Sequence, residues 1–405
     1  MEKPMSIGEP VVTEDFFRPA TWQNPYPAYR AWREHSPLVA RIPFVLADGT
    51  ALEAYSWLLL RHHEVYDALR NHETFSSDFP PVPKGPTRLP LIQDDPPRHA
   101  VMRRLVNKAF TARRIAQVEP WIRENAEELI AAMDEGEPDV IGGLGIPLPV
   151  RVIARLLGIP GSDYLTFKRW SDSFLSANTR SIEPSSRLRD ATEMAAYFAR
   201  IAAERRTHGA EDLITALVEA EVDGQRLGEA ELLGFCILLL IAGNETTTNL
   251  IGNMLNLLAA RPELWPRLRE DRSLVEGTIE EVLRFESPVQ VLYRFVRQDA
   301  DIGARRILAN TTVAIGFGSA NRDPAAFPNA EQFDIERDWT SHLAFGGGVH
   351  YCLGAPLARV EAHVALNAML DRYETIAPAT RPGTRQCATN VILGFTELPL
   401  RLDHC

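Results

Sequence analysis

From Glu229 to Ala260 the chain carries one helical pattern of about 32 residues before Pro262 ends it, a rod of about 48 Å at 1.5 Å per residue. Any fold adopted here must be built around that rod. Its middle, "FCILLLIAGNETTTNLIG", is apolar on all sides, so it is expected to lie inside other helices. Yet Gly243, Asn244, Glu245 and the threonines Thr246, Thr247 and Thr248 fall within that stretch. Such residues are poor helix formers and need partners when buried. At four-residue spacing the Thr246 hydroxyl can bond the Ala242 carbonyl and bend the helix. Two readings stay open at this point. Either the threonines are satisfied on the preceding turn while Glu245 reaches solvent or a basic side chain, or the local violation marks a functional site, with Gly243 permitting close approach of a ligand.

Helical periodicity extends through most of the chain, for example "EPWIRENAEELIAAMDEG" from 119 and "LRDATEMAAYFARIAAERR" from 188. Strand signals are short and cluster near "SWLLLRHHEVYDALR", "ARRILANTTVAIGF" and "NVILGFTELPLRL". The fold class expected is mainly α with a minor β-sheet. Residues 78 to 97, "DFPPVPKGPTRLPLIQDDPP", are too rich in proline for regular helix and predict a long functional loop. No repeat or composition break divides residues 1–405, so a single domain is expected.

The apolar run 232–243, "LLGFCILLLIAG", falls short of the roughly 18 residues that cross a bilayer. The N-terminus lacks the basic segment and apolar run of a secretory signal. Neither membrane association nor export is expected, and a cytoplasmic monomer is. The net charge of −11 argues against nucleic acid and anionic membranes as partners. Locally, Arg98, Arg103, Arg104, Lys108, Arg113 and Arg114 form a cationic run without acids between them.

Of the four cysteines, Cys236, Cys352, Cys387 and Cys405, none has the spacing of a zinc site or disulfide framework. Cys352 stands apart because it follows the glycine-rich segment "FGGGVHYCLG" at 345–354 and precedes a helical pattern, "APLARVEAHVALNAMLDRY", that reads as amphipathic. A cysteine near a helix N-terminus is favoured as thiolate, and a thiolate binds soft metals, haem iron among them. The alternative is a buried, inert cysteine after a turn. Gly346, Gly347, Gly348 and Gly354 would let backbone lie against a flat macrocycle. Neither a P-loop nor a dinucleotide fingerprint fits, since Tyr351 stands where the third glycine belongs.

"FGGGVHYCLG" matches the pattern FxxGxxxCxG, and "AGNET" at 242–246, "EVLR" at 281–284 and "FDIER" at 333–337 appear in order. On these motifs, spread over about residues 90 to 360, the chain resembles the cytochrome P-450 family of haem-thiolate monooxygenases. The resemblance implies a single-domain P-450 fold, with haem b between the long central helix and the helix after the cysteine loop. It makes Cys352 the axial iron ligand, with Phe345 against the proximal side of its loop and Ala242 and Gly354 beside the cofactor. It assigns His99 and Arg103 of "HAVMR", Arg294 of "LYRF" and His350 to the haem propionates. His99 and Arg103, four apart, also share a helical face by spacing alone. Glu281, Arg284 and Arg337 become a buried structural network, where spacing alone gives only a surface bridge.

By the same resemblance Thr246 is the alcohol that orients oxygen and a water, and Glu245 the acid that relays protons, standing where many relatives carry aspartate. Leu238, Ile241, Ala242, Val289, Leu292 and Ile392 are expected to face a hydrophobic substrate of terpenoid, steroid, fatty or aromatic type. Electrons are expected from NAD(P)H through a ferredoxin reductase and a ferredoxin, steered by the cationic run. Two rivals remain to be weighed. A magnesium-dependent terpene synthase is suggested by "DDPPRH", although two prolines follow Asp94 and Asp95 and Gly252 stands where an acid belongs. A haem-thiolate sensor or carrier would share Cys352 but need no proton relay.

Overall fold

The computed structural model describes residues 12–13, 15–45, 51–79, 89–133, 136–175, 184–338 and 341–404. Cys405 and residues 80–88 of the proline-rich stretch lie outside these. In chain order the helices are α1 Pro19–Gln23, α2 Tyr26–Arg33, α3 His62–Arg70, α4 Arg98–Ala109, α5 Ala112–Ala131, α6 Pro147–Leu156, α7 Tyr164–Leu175, α8 Pro184–Thr207, α9 Leu213–Glu219, α10 Glu229–Ala259, α11 Leu264–Glu270, α12 Leu274–Phe285, α13 Phe317–Ala320 and α14 Ala355–Arg372. The strands used below are β1 Val12–Thr13, β2 Leu38–Val45, β3 Ala51–Leu59, β4 Phe75–Ser76, β5 Val291–Val296, β6 Ala300–Ile302, β7 Arg305–Ile307 and β8 Thr312–Gly316. The architecture is mainly helical with a small share of sheet. The chain divides into two compact units, each assembled from separate segments.

The first unit comprises residues 1–82, 280–352 and 385–393. It holds the six-stranded sheet, in the order β1-β2-β3-β8-β5-β4. β3 and β8 run parallel with Ser56 opposite Thr312, and β5 and β8 antiparallel with Arg294 opposite Val313. Trp57, Leu59, Val313 and Ile315 share a core with Val65, Ala68 and Leu69 of α3. Residues 62–70, expected among the strand signals, are helix instead. Val65, Ala68 and Leu69 recur at helical spacing on the buried face, and the Glu64 carboxylate accepts the Arg61 amide at 3.3 Å, closing the first turn. Glycine is required at Gly348, where φ is +62° and a Cβ would stand 2.4 Å from the Leu69 carbonyl oxygen.

The second unit comprises residues 83–279, 353–384 and 394–405. α10 is its axis, packed against α6, α7, α8 and α14. It opens where the Glu231 carboxylate accepts the Gly228 amide at 2.8 Å and ends at Ala259, three residues before Pro262. Counted whole, α10 is long and apolar enough to cross a membrane by length and composition alone, a test that the core helix of a helical domain passes equally. The apolar run resumes after the polar segment, and the helices around it explain why it is apolar on most sides. α14, expected to be amphipathic, packs on both α5 and α10. Its buried residues, Leu357, Ala362, Val364, Leu366 and Met369 among them, therefore run around the helix rather than down one stripe.

Candidate functional site

In the second unit α10 is buried through most of its length, yet its middle opens. Ala242 is exposed, and Leu238, Ile241, Glu245 and Thr246 are half-buried. Their spacing of three and four residues makes this one stripe. A core helix with an open stripe halfway along it presents a surface to something other than its own chain. Within the stripe the Thr246 Oγ1 donates to the Ala242 carbonyl at 2.7 Å, the back-bond the spacing predicts. Burial pushes the Glu245 carboxyl up to about 7. Gly243 has a packing role of its own: a Cβ there would meet Ile153 Cδ1 of α6 at 2.7 Å, so the glycine lets the two helices pack. Thr248 Oγ1 turns away to the Gly145 carbonyl at 2.7 Å.

On α4, His99 is buried at 2% exposure and Arg103 half-buried. The cationic run around them does not form an open basic face. Arg98 pairs with Asp94 and Glu231, Arg104 with Asp223, Lys108 Nζ donates to the Glu221 carbonyl, and Arg114 Nη1 to the Asp212 carbonyl. Asp223 and Glu231, which pair with Arg104 and Arg98, lie far along the chain, before and at the start of α10, where the local sequence could not reveal them. Asp94 is itself 1% exposed and accepts the Leu91 amide at 3.0 Å, a capping role rather than a magnesium ligand's. Among the described residues no group of three or more His, Cys, Asp or Glu is placed to hold a metal ion.

In the first unit the segment 345–352 folds back so that the Cys352 amide donates to the Phe345 carbonyl at 3.0 Å. Two of its glycines, Gly346 at φ +74° and Gly348 at φ +62°, take left-handed backbone. Gly347 is extended and Gly354 is helical at φ −81° as N-cap of α14, so the loop's shape needs two glycines rather than four. Cys352 is exposed and takes part in no disulfide. Phe345 is half-buried, its ring 6.4 Å from that of Tyr351. His350 Nε2 meets the Ser77 hydroxyl at 3.1 Å. Arg294 is 7% exposed on β5, with Nη1 donating to the Tyr293 carbonyl at 2.9 Å.

Glu281 and Arg284 on α12 are fully buried and joined by two bonds of 2.7 Å. Arg337 lies 3.3 Å from the same carboxylate. The two guanidiniums also donate to the carbonyls of Asn321 and Ala330 (Arg284) and of Pro328 and Asn329 (Arg337). This is a buried, bidentate and fully partnered ion network, where spacing alone suggested a surface pair. Val289 and Ile392 pair as an isolated antiparallel bridge, and Leu292 packs against the sheet core.

Sequence reasoning missed Glu361. It lies on α14, 1% exposed, its Oε2 without a hydrogen-bond partner among the described residues, and burial pushes its carboxyl well above the usual range. The one available signal was an acid between Val360 and Ala362 in a stretch that is otherwise apolar every third or fourth residue.

A sequence profile of the family described as Cytochrome P450 matches residues 150–404. Cytochrome P450 monooxygenase PikC of Streptomyces venezuelae is 37% identical over 391 residues, 93% of this chain and 91% of that one. The structure of Cytochrome P450 CYP109Q5 from Chondromyces apiculatus superposes with a TM-score of 0.86 at 37% identity, over 97% of this chain and 99% of the other. CYP109E1 from Bacillus megaterium in complex with testosterone gives a TM-score of 0.82 at 36% identity, over 93% and 99%. The same protein has also been solved with corticosterone.

Proposed function

Because the chain belongs to the cytochrome P450 family, and is therefore a monooxygenase that uses haem b, we propose that it oxygenates a hydrophobic small molecule with electrons from a ferredoxin. The residues on the page suit such a cofactor. An exposed thiol offers a soft axial donor. The open stripe of α10 offers an apolar, small-residue surface centred on Ala242. His99 and Arg294, buried polar side chains, suit carboxylates carried into an apolar setting. Haem supplies the iron at which O2 is activated, with electrons drawn from NAD(P)H through redox partners.

In this reading Cys352 would hold the iron, with Phe345 and Gly354 flanking its loop, His99, Arg103, Arg294 and His350 would bind the propionates, and Ala242 would offer the small side chain that a macrocycle needs beside it. Glu245 passes protons inward, and its carboxyl at about 7 suits that task because transfer is most effective near the working pH. Thr246 donates its only proton to the Ala242 carbonyl, which leaves its oxygen lone pairs to accept from a water or from a protonated Glu245. Glu281, Arg284 and Arg337 keep the cysteine segment's support rigid. Leu238, Ile241, Val289, Leu292 and Ile392 line the substrate's side. Their apolar character, together with testosterone and corticosterone bound to a relative, supports a steroid-sized or terpenoid substrate over a polar one.

A ferredoxin fed by its reductase is the proposed donor. Its contact belongs with the exposed loop residues Val349 and Tyr351 next to Cys352 rather than with the neutralised cationic run. We read residues 1–405 as one functional module, monomeric and cytoplasmic.

The observation that carries the proposal is the open stripe of α10, which pairs an acid near neutrality with an alcohol in an otherwise buried helix. The test is the spectrum of reduced, carbon-monoxide-treated protein, followed by steroid titration and turnover with ferredoxin, reductase and NAD(P)H. A thiolate-type band, a spin-state shift and an oxygenated product are expected. An imidazole-type band or no pigment removes the proposal, and a shift without product points to a carrier.

A further inference from the structure

Two consecutive glutamates on α12 point to different partners. Glu281 takes the arginines described above. Glu280, 1% exposed, meets His342 Nε2 at 2.7 Å, and the His342 side chain is 5% exposed. The other ring nitrogen, Nδ1, accepts the backbone amide of Ala344 at 3.2 Å. An acceptor at Nδ1 fixes the tautomer, because the ring's proton must then lie on Nε2, where it donates to the Glu280 carboxylate. A second line runs parallel to this one. The Leu343 amide donates to Asn321 Oδ1 at 2.7 Å, Asn321 Nδ2 to the Ser287 hydroxyl at 2.8 Å, and that hydroxyl to the Leu283 carbonyl of α12 at 2.7 Å. The amides of Leu343 and Ala344 are thus both tied to one helix, and Phe345, next along, offers the carbonyl that receives the Cys352 amide.

We propose that Glu280 and His342 are positioning residues for Cys352, holding the segment before the glycine loop so that the sulfur keeps its aim and donor strength toward iron. The proposal rests on Cys352 being the haem ligand. The contacts run Glu280, His342, Ala344 amide, Phe345 carbonyl, Cys352 amide, so the pair acts on the sulfur through the backbone rather than by bonding to it, and its effect should fall at or below the low end of the roughly 10- to 100-fold that directly bonded partners contribute. Glu280→Gln keeps an amide oxygen that accepts from Nε2 and so preserves the tautomer, whereas Glu280→Leu removes that acceptor and frees the ring to carry its proton on Nδ1, against the Ala344 N–H. His342→Gln keeps a donor for Glu280 but lacks an acceptor at the Nδ1 position.

The three variants are purified with haem, and the fraction of thiolate-type ferrous carbon monoxide band, the reduction potential and haem transfer to an apo-acceptor are measured beside the melting temperature. Glu280→Leu and His342→Gln should lose the thiolate-type band in favour of a thiol-type one and release haem up to about 10-fold faster, the lower end of what a partner bonded directly to a ligand contributes, while Glu280→Gln stays close to wild type. Should Glu280→Leu fail to fold, the contrast between His342→Gln and Glu280→Gln decides alone. Wild-type spectra and potentials in Glu280→Leu and His342→Gln, or a Glu280→Gln variant as impaired as His342→Gln, overturn the proposal. A wild-type protein without the thiolate-type band removes the Cys352 assignment and this proposal with it. The band in wild type with unchanged Glu280→Leu and His342→Gln variants removes this proposal alone.

Discussion

At Thr246 the hydroxyl is oriented by the Ala242 carbonyl it donates to, so the role proposed for it requires the oxygen as an acceptor and not the methyl. Thr246→Ser should keep product formation coupled to NAD(P)H oxidation, whereas Thr246→Val, nearly the same shape without the hydroxyl, should lower coupling several-fold and release peroxide. The measurement is product and peroxide per NAD(P)H consumed. Glu245, lifted from 4.5 to about 7 by burial, should behave as the acid of the pair. Glu245→Gln should reduce turnover on the order of 10²-fold and erase the inflection near neutral pH in the rate profile. Glu361 gives a stability counterpart. Its carboxyl is raised in the folded chain, so between the unfolded value of 4.5 and the folded one the unfolded chain gives up its proton first. Stability is therefore full below that window and lost as pH rises through it. Wild type should thus lose melting temperature as pH rises above about 4.5, and Glu361→Gln should flatten that decline. Thr246 and Glu245 were legible because they violate the pattern of the helix they sit in. Glu361 was not, because an acid in a helix that has not been placed reads as a solvated one.

Elements come out of the sequence wherever their periodicity is local, and fail where a distant partner decides. α10 is legible from Glu229 to within a residue of its end, because Pro262 and the apolar pattern bound it. α14 was legible as a helix but not as a buried one, since α5 and α10 come to it from far along the chain. Residues 62–70 were misread because two histidines and a valine follow a true strand without a break. The cationic run shows the same limit, the acid paired with Arg104 and the backbone carbonyl bonded to Lys108 lying more than a hundred residues on. Those exposed pairs are weak ones. Reversing Asp223 should cost under about 1 kcal/mol and leave the salt dependence of ferredoxin reduction unchanged, which stopped-flow measurement across ionic strength can check. The α12 network is the opposite case. Arg284→Ala strands the Glu281 carboxylate in a fully buried position and should destabilise by about 3–5 kcal/mol, seen as a lost urea transition or as protein that accumulates without haem.

At the scale of the whole molecule, class and family were readable from "FGGGVHYCLG" and three short motifs, while the division into two units was not. The chain passes from one unit to the other after residues 82, 279, 352, 384 and 393, and neither the proline-rich stretch at the first passage nor the glycine-rich segment at the third reads as a boundary between units. Substrate choice is likewise illegible, since Leu238, Ile241, Val289, Leu292 and Ile392 are apolar in a way that many ligands satisfy. The interleaving has a practical outcome. No single scission of the polypeptide can liberate either unit, because both are sewn from non-adjacent lengths of it, and a split-gene or truncation strategy would yield fragments that each carry an unfinished portion of both. One of the seams is the peptide bond between Cys352 and Leu353. The thiol and the helix that follows it thus belong to different units while remaining covalent neighbours.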